Sequence, residues 1–146
     1  MSDPYEKKLV NLNFYHSKSE IKAKIIVVLD GKLENRGLNL IHPISRVFPE
    51  KSIIELIATD DKEAAPGKVV DNIAYVGFAE LQNGGVLLSK DEIYWNGKYL
   101  GSIIGFDDTH MPNHQNTIIN VKKRVSGKKL GMKIGDEIII KGFIKK

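Results

Sequence analysis

The feature that most constrains this chain is its punctuation. Short apolar runs, either alternating or rich in β-branched residues, are separated by glycine- and asparagine-bearing turns at intervals of about 8–12 residues. No long amphipathic helical stripe interrupts them. Apolar residues at every second position line one face of a strand, and strands of this length close on themselves or stack in pairs. The expectation is therefore a mainly β protein, a small antiparallel barrel or sandwich containing a hairpin meander.

The runs are explicit. Ile21, Ala23, Ile25, Val27 and Leu29 alternate through residues 20–30, and Asp30-Gly31 ends that strand with turn chemistry. Residues 36–43 read as a short strand halted by Pro43. Ile53, Ile54, Ile57 and Thr59 mark a strand over 51–59, and 60–67 form a polar loop. That loop is the best internal break, but its flanks are too small for separate domains, so 1–146 is read as one domain. Residues 73–81 make a strand, Asn83-Gly84 signals a hairpin, and 85–88 return from it. Asn96-Gly97, between 92–95 and 98–104, is the strongest two-residue hairpin signal. A strand over 117–125 and, within 135–142, a tight turn feeding a closing strand complete the set.

Composition removes several function classes. The chain has no cysteine, which eliminates disulfides, thiolate zinc sites and cysteine nucleophiles, and suits a reducing compartment. Residues 1–8 lack the apolar core of a signal peptide, and the densest apolar stretch, 25–29, is far too short to span a bilayer. A cytoplasmic protein with no membrane partner is expected. The formal charge of +4 comes from 22 basic and 18 acidic residues, and only Arg36, Arg46 and Arg124 are arginines. Lysine acts as a point charge, whereas base-edge readout favours the planar arginine fork, so the balance weighs against sequence-specific nucleic-acid binding. Gly127, Gly131 and Gly135 lie in a glycine-rich stretch without the Gly-Lys-Ser/Thr ending of a phosphate loop; turns account for them.

Chemical capacity is concentrated in residues 105–116, which hold two of the four histidines, two aspartates and two asparagines. His110 and His114 have the spacing of a helical chelate, but Pro112 between them disfavours a helix. With Pro112-Asn113 at the centre of a β-turn, the two imidazoles can instead be brought toward one point. Fully extended, their Cα atoms would stand roughly 13 Å apart. Converging imidazoles can hold a divalent metal with a carboxylate oxygen from Asp108 or Asp107, the remaining aspartate fixing a histidine tautomer. Without metal, His110, His114 and Asp107 form a candidate base oriented by carboxylate. The plainer alternative is that Asp, Asn and Thr close the loop on its own backbone.

Residues 105–116 resemble the signature of an uncharacterised family of small prokaryotic proteins: Gly-Phe-Asp, an acidic residue, Thr-His, any residue, Pro-Asn-His. Arg36-Gly37-Leu38, Leu40-Ile41-His42-Pro43 and Ser45-Arg46 are similar to that family's first half. The resemblance implies that both blocks are hallmarks of one family, and it brings no reaction or cofactor with it. In the first block, Arg36, His42 and Arg46 are candidates for holding a small polar or anionic ligand, with Asn113 from the second. His42 would complete a three-histidine zinc site if it met His110 and His114. His16 is the weakest ligand candidate. A different class of function, a single-stranded nucleic-acid module, would use Tyr94, Trp95 and Tyr99 as stacking platforms beside Lys90 and Lys98. Exposed strand edges make a homo-oligomer the base expectation.

Overall fold

The computed structural model describes residues 19–142, so His16 lies outside the described residues. In chain order the strands are β1 (Ile21–Val28), β2 (Lys32–Leu33), β3 (Leu38–Asn39), β4 (Ser45–Phe48), β5 (Ile53–Thr59), β6 (Val69–Val70), β7 (Ile73–Leu81), β8 (Gly85–Leu88), β9 (Glu92–Trp95), β10 (Lys98–Asp107), β11 (Gln115–Asn120) and β12 (Glu137–Lys141). One helical turn, α1 (Gly127–Leu130), precedes the last strand. No helix among the described residues is long and apolar enough to cross a membrane.

Seven strands close into a barrel in the order β1-β12-β9-β10-β11-β5-β7, and β7 pairs back onto β1. Six of these contacts are antiparallel; the seam between β11 and β5 is parallel. The expected antiparallel barrel is thus modified at one place, for a geometric reason. Strand direction cannot alternate around a ring with an odd number of members, so one pair must run the same way. The seam matters for chemistry, because it sets the beginnings of β5 and β11 side by side.

The interior follows the alternation. Ile21, Ala23 and Ile25 point inward from β1, and Ile54, Leu56 and Ala58 do so from β5. They meet Leu81, Ile93, Ile103, Phe106, Ile119, Ile138 and Ile140 in one cluster. A second cluster lies on the outer wall, where Leu38, Leu40 and Val70, on and beside the small β3–β6 sheet, cover Ile57, Ile73 and Ile118. β5 is consequently buried on both faces, which explains why apolar residues dominate both of them.

Two turns show how local chemistry sets register. At Asn96-Gly97 both residues have positive φ, 46° and 83°, as a two-residue primed turn requires, and Trp95 pairs with Lys98 as expected. Asn83-Gly84 does not make the expected hairpin. The Asn83 side chain is bound to the chain entering β1, accepting from the Lys22 N–H at 2.8 Å and donating to the Glu20 carbonyl at 3.0 Å. β8 therefore leaves β7 and pairs with β4 in a separate two-stranded sheet. The expected 117–125 strand begins earlier and ends at Asn120. The chain then turns into α1, capped by the Ser126 hydroxyl and ended by Gly131 at φ 88°.

Asp61 fastens the crossover between β5 and β7. Its carboxylate accepts the Asp71 and Asn72 N–H groups at 3.0 and 3.3 Å and the Asn72 amide at 2.9 Å. Burial pushes this carboxyl up, but those hydrogen bonds and the Arg124 charge hold it below the ordinary aspartate value. A carboxyl with a lower pKa folded than unfolded contributes stability above its unfolded pKa and loses it as pH falls through the folded value. Urea unfolding from pH 7 to pH 3 is expected to show a shallower loss of stability below about pH 4 in Asp61→Asn than in the wild type. Parallel curves would mean that the carboxylate is not tuned by these donors.

Candidate metal centre

The site grows out of the parallel seam. Its register sets Asn116 beside Glu55, and the neighbouring ladders set Glu55 beside Phe78 and Asn116 beside Asp107. Phe78, Glu55, Asn116 and Asp107 thus form a row across the outer wall. Glu55 interrupts the apolar run of β5 and is only 6% exposed. Charged side chains are rarely buried to this degree without a partner.

The partner comes from the loop that enters β11. His114 lays its ring over the row, with its centroid 4.9 Å from that of Phe78 and its Nε2 3.0 Å from Glu55 Oε1. The exposed His110 ring stands beside it, centroids 5.0 Å apart. One ligand atom from each of Glu55, His110 and His114 lies within 4.8 Å of the others. Donors around one tetrahedral ion at about 2.0–2.2 Å stand about 3.3–3.6 Å apart, so a small inward shift brings the three to bonding distance. His110 is the residue free to make it, being on the surface.

The loop converges by a turn displaced one residue from the expected position. The His110 carbonyl accepts the Asn113 N–H at 2.9 Å and the His114 N–H at 3.3 Å, so Met111 and Pro112 occupy the centre. The Met111–Pro112 peptide is cis.

The structure supplies a different carboxylate from those selected in the sequence. Buried Asp107 accepts the Thr109 N–H at 2.9 Å and the Asn116 amide at 3.0 Å. Exposed Asp108 accepts the Gln115 amide and stands 3.9 Å from Arg46. Neither belongs to the His110, His114 and Glu55 group; both close the loop, as Asp residues do in turns. Asn113 sits exposed on the turn and contributes its N–H. Arg46, on β4, joins the first block to the second through Asp108, and the Ile41 N–H joins them again at the Phe106 carbonyl, 2.8 Å away. His42 is not part of the three-residue group; it lies close to Gly67, where an added Cβ would meet its ring. Arg36 is tied through its N–H to the Asp71 carbonyl at 3.0 Å, on the β3–β6 side. The sequence signal for Glu55 was a lone carboxylate inside Ile53-Ile54-Glu55-Leu56-Ile57; its neighbours across the seam were not readable.

Buried oxygens of Gln115, Asn116 and Thr117 have no hydrogen-bond partner among the described residues. Asn116 Oδ1 is one of them, on the residue paired with Glu55. A buried acceptor with no donor is the kind of group that water or a cation satisfies.

The aromatic residues considered for nucleic-acid stacking divide between two faces. Tyr94 meets Tyr99 edge-on at 5.7 Å, while Trp95 packs against the inner cluster and donates to Asp136 at 2.8 Å.

No curated protein and no solved structure matches this chain. A family model does, over residues 15–141, which includes both loop histidines and Glu55. The chain belongs to DUF6917, a family of unknown function.

Proposed function

We propose that the protein binds a divalent transition-metal ion through His110, His114 and Glu55, and presents its open coordination positions to a small polar or anionic ligand. The observation that carries this reading is the meeting of two imidazoles and a nearly buried carboxylate within 4.8 Å, from segments 55 residues apart in the case of Glu55 and His110. Two histidines and one carboxylate form a donor set suited to zinc or non-haem iron, and three protein ligands leave room for water or ligand. A bound ion would polarise a ligand oxygen or lower the pKa of bound water. In this reading Asp107 and Asp108 act as loop-closing groups, and Arg46, 3.9 Å from Asp108, is a candidate for holding an anion.

A second reading rests on the 3.0 Å Glu55–His114 contact and the ring packing on Phe78: the pair is a latch fastening the loop to the wall. Calorimetric titration of chelator-treated protein with zinc, nickel and manganese separates the two. The wild type is expected to take up one of these ions at about one per chain, with Glu55→Gln and His110→Asn weakening binding at least about tenfold. Equal affinity in both variants would leave only the latch.

A further inference from the structure

A cavity of about 530 Å³ occupies the other end of the barrel, where β10 begins and β11 ends. Its innermost lining residues, Ala58 and Ile119, lie three residues along β5 and β11 from Glu55 and Asn116, roughly 10 Å of strand, and Ala58 faces the interior whereas Glu55 lies on the outer wall. Small side chains from β5 and β7 leave room in the interior at this level. Phe106, Leu81 and Ile54 fill the end nearer the cluster, whereas Ala58 pairs with Ala74 across β5 and β7, and Val76 follows. Ala58, Val76 and Ile119 form the apolar depth of the cavity, and Trp95 contributes to its wall. Asp136 fixes that indole by accepting its N–H.

The entrance has one sign of charge. Lys98, Lys122 and Lys123 are exposed lining residues, and no Asp or Glu among the described residues lines the cavity. We propose that this mouth is a second binding site, independent of the metal reading, for a small amphipathic anion: a monocarboxylate on an apolar chain. The volume lies within the about 300–1,000 Å³ of small-molecule sites, and mouths of β-barrels are common places for them. Apolar depth recognises the chain, and three ammonium groups recognise the carboxylate. Lysine suits this task because it neutralises charge without demanding one planar geometry.

Dodecanoate, kept below its micelle concentration, is the probe, and the fluorescence of Trp95, the only tryptophan, is the readout. The expected result is saturable binding that Lys98→Gln/Lys122→Gln/Lys123→Gln weakens at least tenfold, while dodecanol binds both proteins alike. The substituted side chains are exposed, and circular dichroism confirms that the variant is folded. His110→Asn is expected to bind dodecanoate as the wild type does. The proposal is overturned by absence of saturation, by unchanged dodecanoate affinity in the triple variant, or by a response only to anionic phospholipid vesicles.

Discussion

Phe106→Ala is expected to lower the unfolding free energy by about 3–5 kcal/mol, the largest loss foreseen for any single substitution discussed for this protein. Phe106 is fully buried and is the largest such side chain in the barrel. It packs in the inner cluster opposite Thr117 across the β10–β11 ladder. Truncation removes its burial and leaves a void that the hydrogen-bonded wall restrains from collapsing, so transfer and cavity terms add. Urea unfolding of Phe106→Ala beside Val47→Ala makes the comparison, since Val47 is 77% exposed and its truncation belongs within about 0.5 kcal/mol of the wild type. Similar midpoints for the two variants would mean that the barrel is not packed around Phe106. The effect also reaches the site: Phe106 precedes Asp107, whose carboxylate holds Asn116 and the Thr109 N–H.

The fold was legible where a short segment carries its own instructions. Residues 73–81 are a strand because their composition admits little else, and Asn96-Gly97 turns because both residues tolerate positive φ. Asn83-Gly84 misled because a side-chain amide found distant backbone partners, at Lys22 and Glu20, which no local pattern announces. The site divides in the same way. His110, His114 and the proline between them could be read directly, and the two rings do converge. The choice of Asp107 and Asp108 as their carboxylates came from proximity along the chain. Glu55 joins them because the one parallel contact of the seven-strand ring falls between β5 and β11 and sets their beginnings side by side. Pairing order is a property of the closed barrel, so the residue most dependent on it was the one the linear pattern missed.

Metal-linked stability distinguishes a binding centre from a latch more sharply than affinity alone. An ion that binds only the folded chain stabilises it by about 4 kcal/mol at a thousand times its dissociation constant. The wild type is expected to show that gain in urea unfolding with the preferred ion, and to lose it when chelator is added. His110 is exposed, and it has no ion pair with Glu55 among the described residues. His110→Asn should therefore unfold like the wild type without metal, within about 0.5 kcal/mol, yet gain much less stability at the same ion concentration. His114→Ala should behave differently, losing about 1–3 kcal/mol without metal because the nearly buried Glu55 carboxylate loses its partner. Under the latch reading, His114→Ala is damaged, but His110→Asn and the wild type stay superimposed at every metal concentration. The exposed histidine, which contributes least to holding the loop, is thus the residue whose removal decides what the loop is for.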